Sequence, residues 1–314
     1  MNNITAIVLT FNEELHIRRC LDNLQGLAQD IFLIDSFSTD RTTEIAGEYE
    51  NVHVLQHKWE NNHAKQFNWG LANAPIRTEW ILRLDADEYL SAELIEELRA
   101  YEPADGVNGI CLKRGLVFLG KHLRRGGSYP VTLLRLFRKG HGICEPRLMD
   151  EHIELTDGES VTMEHDFYDE NLNNLSWWLS KHVGYAVREA AEMLDAELDL
   201  TETDHSAHGL TEQALQKRRK KQKYSRLPLF WRSAGYFAYR YFVKLGILDG
   251  KEGFIWNFMQ GWWYRTFVDA KIFEIKKHCG TDKAKILQYL KEEYKIELPS
   301  ADKNTTPTAN GQGN

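Results

Sequence analysis

Trp80-Ile81-Leu82-Arg83-Leu84-Asp85-Ala86-Asp87-Glu88 is an apolar run that breaks off on carboxylates. Its length and composition predict a buried strand, and the acids at its carboxyl end mark where a ligand would meet the sheet. If Asp85 and Asp87 stay extended, strand periodicity points both side chains the same way, so that they share one hard cation or one diphosphate–metal complex. A solvated turn would give the same letters, so the surrounding pattern has to decide.

Working outward, the first hundred residues alternate. Ile4 and Ala6-Ile7-Val8-Leu9 form a predicted strand, Glu13 to Leu24 a helix capped by Asn12, and Ile31-Phe32-Leu33-Ile34 a second strand. A helix from Thr42 to Tyr49, a strand Val52-His53-Val54-Leu55, a helix from His63 to Asn73 and the strand Ile81 to Leu84 continue the series. Strands separated by helices imply a mostly parallel α/β sheet covered on both faces. Ligands of such sheets bind outside the carboxyl ends of the strands. Here those ends carry Thr10-Phe11-Asn12-Glu13, Asp35-Ser36-Phe37-Ser38 and Asp85-Ala86-Asp87. From Ile110 to His165 strand-like pieces (Ile110 to Phe118, Thr132 to Phe137, Val161 to Met163) alternate with glycine loops, extending the sheet in mixed fashion. After Asn171 the pattern is helical to Tyr294, and Pro299 to Asn314 has the polar, Gly- and Pro-containing composition of a disordered tail. The expected division is therefore 1–168, 169–298 and 299–314.

The 314 residues, 42% of them apolar, can fill a large core. Cys20, Cys111, Cys144 and Cys279 lie far apart, without metal-ligand spacing or a disulfide framework, which suits a reducing compartment. The start shows no basic region of a signal peptide, and no apolar stretch approaches the roughly 18 residues of a membrane span. The expected location is cytoplasmic, or peripheral on the cytoplasmic face of an inner membrane. A net charge of −7 argues against general nucleic-acid binding. It conceals an acidic stretch (Glu189, Glu192, Asp195, Glu197, Asp199, Glu202, Asp204) followed by a basic one (Lys217, Arg218, Arg219, Lys220, Lys221, Lys223, Arg226). Of 36 aromatic residues, 16 fall between Tyr224 and Phe273, directly after the basic run. Either these helices lie on an anionic leaflet or their aromatic side packs on the sheet.

Ile7-Val8-Leu9-Thr10-Phe11-Asn12-Glu13-Glu14, Ile34-Asp35-Ser36-Phe37-Ser38-Thr39-Asp40-Arg41-Thr42 and Leu84-Asp85-Ala86-Asp87-Glu88, in this order and spacing, resemble the nucleotide-sugar half of family 2 glycosyltransferases. The resemblance covers roughly residues 4 to 165. It implies a GT-A fold, a Rossmann-like sheet binding a nucleoside-diphosphate sugar with Mg²⁺ or Mn²⁺, here with a helical C-terminal extension. Thr10, Phe11, Asn12 and Glu14 match the motif lying against base and ribose, and Asp35 the base-recognising aspartate. Ser36 and Phe37 stand where the usual Asp-Asp-Gly-Ser-x-Asp pattern has its second Asp and its Gly. Lys65 matches a basic residue on the base or phosphates, Asp85 a ribose contact and Asp87 the metal ligand, while His165 matches a histidine near the diphosphate and joins Asp87 as a metal candidate. Asp150-Glu151-His152 is similar to the catalytic-base segment of bacterial members, with Asp150 and Glu151 both open as the base. Gly120 to Pro130 with Arg135-Leu136-Phe137-Arg138 looks like the signature of a subgroup that builds lipopolysaccharide core or other envelope glycans, although Ser128 replaces its usual aromatic. That makes Arg125 and Arg135 candidates for acceptor or diphosphate binding, on a loop whose glycines would let it move.

The implied activity is inverting transfer of a hexose, glucose from UDP-glucose at best guess, to a hydroxyl of a lipid-linked or other envelope glycan. A retaining or protein-directed glycosyltransferase, or an inactive membrane-surface scaffold, are the alternatives. A sugar-1-phosphate nucleotidyltransferase would need a glycine-rich first loop, and Thr10-Phe11-Asn12-Glu13 supplies none.

Overall fold

The computed structural model describes residues 3–145, 151–201, 219 and 223–298. Asp150, most of the basic run from Lys217 and the tail from Pro299 lie outside the described residues. Strands β1 (Ile4–Thr10), β2 (Asp30–Asp35), β3 (Val52–Gln56) and β4 (Trp80–Asp85) run parallel in the order β3-β2-β1-β4, connected by α1 (Ile17–Leu24), α2 (Thr42–Ala46) and α3 (His63–Asn73). The burial pattern explains why these segments are strands: β1 and β4 are apolar and buried on both faces, as central parallel strands between helical layers must be.

Beyond β4 the sheet becomes mixed. It continues through β8 (Val131–Arg138), β6 (Val107–Phe118) and β11 (Glu159–Glu170) to β5 (Glu88–Leu90), with β7 (Lys121–Leu123) paired to β6 and a separate hairpin of β9 (Gly142–Cys144) and β10 (Ile153–Leu155). Strand β5 follows β4 after two residues, yet it pairs with β11, three strands further along the order. The sheet must therefore curl back on itself. That curl gathers the ends of β4, β5, β8 and β11 around Asp85-Ala86-Asp87-Glu88.

Several expectations are corrected. Helix α1 starts at Ile17 rather than Glu13, because the chain from Phe11 to His16 is tied to the loop after β2, and Asn12 does not cap it. Helix α2 stops at Ala46, and β11 has 12 residues where three were expected. Helix α4 (Ala92–Ala100), absent from the sequence reading, begins at Ser91, whose hydroxyl accepts from Leu94 N (3.1 Å) as an N-cap.

Helix α5 (Leu175–Leu198), capped by Asn174, packs against the helix Tyr264–Cys279 through Ala186, Ala190, Leu194, Val268, Ile272 and Ile275, a core separate from that of the sheet. The acidic stretch is only partly a solvated face. Glu189 is buried, accepting from Tyr264 Oη (2.8 Å) and Arg265 Nη1 (2.5 Å), and Asp195 accepts from Thr201. No helix among the described residues is long and apolar enough to cross a membrane.

Candidate active site

The loops after β1 and β2 are zipped together. Thr39 N donates to Asn12 Oδ1 (2.8 Å), Asn12 N to Ser38 Oγ (2.9 Å), Glu13 N to Thr42 Oγ1 (2.8 Å), Glu14 N to Asp40 Oδ2 (3.0 Å) and Arg41 N to Glu14 Oε2 (3.2 Å). Asn12 reaches this geometry with φ +57°, a conformation asparagine tolerates better than most residues. Asp35 is fully buried beneath the zipper and accepts from Thr10 Oγ1 (3.1 Å), Ser38 N (2.9 Å) and Ser38 Oγ (2.5 Å). The structure thus gathers Thr10, Asn12, Glu14 and Asp35 in one frame. It leaves Phe11 exposed on the frame's edge.

At the end of β4 the chain does not stay extended. It turns at Ala86-Asp87, so the two aspartates are presented by a turn rather than by one strand face. Asp85 N donates to Glu88 Oε2 (2.9 Å), and Arg135 of β8 reaches Glu88 Oε1 (2.5 Å) and, less closely, Asp85 Oδ2 (3.8 Å). Asp87 Oδ2 accepts from Asn171 Nδ2 (2.9 Å), and its carbonyl accepts from Glu170 N and Arg19 Nη2. Asp169 of β11, paired with Arg114 at 3.3 Å, completes a set of four carboxyl groups. Burial pushes the Glu88 carboxyl up to about 8 against the pull of Arg135, with Asp85 and Asp169 adding repulsion. Burial likewise pushes Asp169 up to about 6 against Arg114, helped by Asp87 and Asp85. Asp85 goes the other way: burial would raise it, but Arg135 and Arg83 outweigh burial and hold it ionised. Arg135, Arg83, Arg114 and Arg19 are all drawn to this cluster of acids.

Glu151 arrives from the far side. Its Oε1 accepts from Arg83 Nη2 (2.9 Å), and Arg83, buried on β4 two residues before Asp85, points to the same face. The Arg83 guanidinium is fixed by Cys144 Sγ (3.4 Å) and lies over the Phe67 ring at 5.4 Å. His63, at the first turn of α3, feels Glu151 and Asp85, yet burial dominates and holds its pKa below the usual imidazole value.

Other expected residues fall elsewhere. His165 is not brought to Asp87: its amide (3.0 Å) and Nδ1 (2.9 Å) both meet Glu97 on α4. Lys65 is exposed and ion-paired with Glu60 at 2.8 Å, facing solvent rather than a phosphate. Arg135 is too buried to touch an acceptor and supports the carboxyl cluster from below. The loop expected to move is pinned instead. Arg125 N donates to Asp249 Oδ2 (2.9 Å), Gly126 N to the Lys244 carbonyl (2.9 Å), and Arg240 to Gly126 O (2.6 Å) and to the buried Ser128 Oγ (2.9 Å). Gly126 has φ +65°, and a Cβ there would lie 2.8 Å from Asn257 Oδ1, so the loop needs glycine to dock, not to swing. The Arg125 side chain is exposed on this docked loop.

With this geometry established, residues 5–157 match the model of the family described as "Glycosyl transferase family 2". Those residues form a glycosyl transferase family 2 domain. Its sheet is the GT-A fold, flanked by helices and followed by the C-terminal helices. The chain is 34% identical over 95 residues to an uncharacterized glycosyltransferase of Rickettsia bellii, covering 30% of this chain and 31% of that protein. It is 32% identical over 91 residues to the SPbeta prophage-derived glycosyltransferase SunS of Bacillus subtilis, covering 29% and 21%. The chain thus spans about a third or less of the length of these curated relatives. Among solved structures, that of S. aureus TarS 1–349 aligns over 93% of this chain and 91% of its own at 15% identity, with a TM-score of 0.44.

The family 2 domain does not hold the whole candidate site. Asn171 reaches Asp87 from beyond residue 157, and Leu172 N donates to His16 Nε2 (2.8 Å), which ties the start of the helical extension to the first loop. Two turns into α5, Lys181 lies over the rings of Trp177 (4.7 Å) and Tyr185 (5.7 Å). Burial pulls its pKa down, but Tyr185, Asp87 and Glu13 outweigh burial and keep the ammonium charged. A cation from the helices is thus within electrostatic reach of Asp87.

The sequence reading quoted Glu88 in the strand-end motif without giving it a role, and missed Arg83, His63, Asp169, Asn171 and Lys181. A signal existed for Arg83, as the one charge inside an apolar strand at the same parity as Asp85. The others come together only through the packing of α3, the curl of the sheet and the path of α5, which no local pattern encodes.

Proposed function

We propose that this chain is an inverting glycosyltransferase that moves a hexose from a nucleoside-diphosphate sugar to a hydroxyl of an envelope glycan, with UDP-glucose the best single guess for donor. The observation that carries this reading is the gathering of Asp85-Ala86-Asp87-Glu88 and Asp169 at the strand ends of a family 2 domain, held there by Arg135 and Asn171. No group of three or more His, Cys, Asp or Glu among the described residues forms a ready-made metal cage. A Mg²⁺-type ion does not need one, since it keeps waters and takes one or two carboxylates plus substrate phosphates. The donors here are carboxylate oxygens, which fits a hard cation. Asp87 would hold it, with Asp85 beside it, and when bound it would neutralise charge on the departing diphosphate.

The chain's own groups supply the rest. Lys181, within electrostatic reach of Asp87, would meet the same diphosphate, and the zipped loops of Thr10 to Glu14 and Asp35 to Thr42 would frame the nucleoside. Glu151, oriented by Arg83, accepts the proton of the acceptor hydroxyl as its oxygen attacks the anomeric carbon from the face opposite the leaving group. Asp150 is the other candidate for this role. Calorimetry with a panel of nucleotide sugars and Mn²⁺ tests the reading. Binding of one UDP-sugar that disappears with chelator is expected, and absence of binding to any of the panel by folded protein would sink it.

A specific observation favours work at a membrane surface. Trp231 is 80% exposed, and Phe242, Val243, Leu248, Phe254, Phe258 and Trp262 are exposed on the same helices, together with Lys244 and Lys251. Exposed aromatics beside lysines suit the headgroup region of an anionic leaflet. Expected is sedimentation with vesicles containing anionic lipid, reduced several-fold by Trp231→Ala combined with Phe242→Ala and by raised salt. Equal binding by the double variant would remove the membrane from the account.

A further inference from the structure

His16 is a fully buried imidazole with both nitrogens engaged. Nδ1 lies 2.7 Å from Glu13 Oε2, and Nε2 lies 2.8 Å from Leu172 N. A backbone N–H can only donate, so Nε2 is the acceptor and the ring proton sits on Nδ1, where it is donated to Glu13. Taking an imidazole out of water is costly unless both nitrogens find partners, whereas an apolar side chain would fill the same space without that demand. The polarity of the ring thus serves two fixed neighbours.

Those neighbours belong to different parts of the candidate site. Glu13 lies in the zipper, where its amide donates to Thr42 Oγ1 (2.8 Å). Leu172 follows Asn171, whose Nδ2 donates to Asp87 Oδ2 (2.9 Å) and whose Oδ1 accepts from Asn173 N (3.0 Å). The direction of the Asn171 amide is therefore set by the path of its own backbone. None of residues 171–174 is buried, and Leu172 is 50% exposed, so no apolar anchor fixes that path between β11 and α5. Leu172 N, donating to a fully buried ring, supplies the anchor instead.

We infer that His16 is a positioning residue of the transfer reaction: by accepting from Leu172 N it fixes residues 171–173, so that Asn171 aims the Asp87 carboxylate at the donor's cation. This role rests on the function proposed above for Asp87 and goes beyond it in assigning what holds that carboxylate in place. Being fully buried, His16 touches neither substrate and acts through Asn171.

Asparagine and glutamine separate the two ring nitrogens, because the shorter amide reaches the place of Nδ1 and the longer one the place of Nε2. The test measures Mn²⁺-dependent UDP binding by calorimetry on the full chain, in wild type, His16→Gln, His16→Asn, Asn171→Ala and the double variant His16→Asn with Asn171→Ala. His16→Gln keeps an acceptor for Leu172 N and should bind within about twofold of wild type. His16→Asn keeps a donor for Glu13 but loses Leu172, and should weaken binding about tenfold, the order of one hydrogen bond. An ester bond in place of the Leu172 amide removes the N–H alone and leaves the buried ring intact. It should match His16→Asn, and it decides the matter if His16→Asn does not fold. The losses in His16→Asn and Asn171→Ala should fail to add in the double variant, because both break the same chain of contacts. Wild-type binding by the ester chain, or equal binding by His16→Asn and His16→Gln, would overturn the inference. Additive losses would overturn it as well, since His16 would then act by another path. A wild type that binds no UDP with Mn²⁺ would instead reject the nucleotide reading of the site, and this role with it.

Discussion

Asp87→Ala is expected to lower sugar transfer by at least about a thousandfold, the scale of losing several kcal/mol of charge stabilisation on the leaving group. The protein should remain folded. That second expectation follows from the site's own electrostatics: Asp87 adds repulsion to Asp169, whose carboxyl is already pushed up to about 6. Its side chain is held by Asn171 at 2.9 Å, but the carbonyl that receives Glu170 N and Arg19 is backbone and survives the substitution. A Tm equal to or above that of wild type, together with lost turnover and lost Mn²⁺-dependent donor binding, would mark Asp87 as a functional rather than structural acid. Wild-type turnover in Asp87→Ala would remove the carboxyl cluster from the mechanism. Asn171→Ala offers a graded companion, since it frees the Asp87 carboxylate without deleting it. It should weaken metal-dependent binding less than Asp87→Ala does.

How legible this was from the sequence depends on the range of the signal. The four parallel strands and the three polar strand ends were readable because each is a contiguous run with its own period, and Asp85 and Asp87 sit at one of those ends, whereas Glu151 came only from the resemblance. Asp35 was located, yet its surroundings were not: that Ser38 would occupy its oxygens and force Phe37 to φ +61° is a matter of turn geometry. The expected pairing of His165 with Asp87 failed for a similar reason. In β11, His165 lies four residues before Asp169, the partner of Glu88, and beside α4, a helix the periodicity did not reveal, where Glu97 takes it. Lys65 followed a family position, but its helix presents it to Glu60 and solvent. Glycines at 126 and 127 were taken as freedom, whereas Asn257 and Arg240 show Gly126 is there for close packing. Lys181 was the least accessible of all, because it enters from a helix outside the family 2 match and only the packing of α5 on the sheet reveals it.

Glu151→Gln should lower kcat by about a hundredfold to ten-thousandfold, the range for loss of a general base, and leave KM for the donor nearly unchanged. The isostere keeps an acceptor oxygen for Arg83 Nη2, now at 2.9 Å from Glu151, so the local structure should hold. Arg83→Met separates position from chemistry. Arg83 is buried and itself fixed by Cys144, and its loss leaves Glu151 without the group that orients it. kcat should fall while KM for the donor stays nearly unchanged, and a parallel rise in donor KM would mark Arg83 as merely structural. Asp150→Asn completes the set: a large kcat loss there with an active Glu151→Gln would transfer the base to Asp150 and reduce Glu151 to an orienting group. Loss in neither variant would require the acceptor proton to leave by another route.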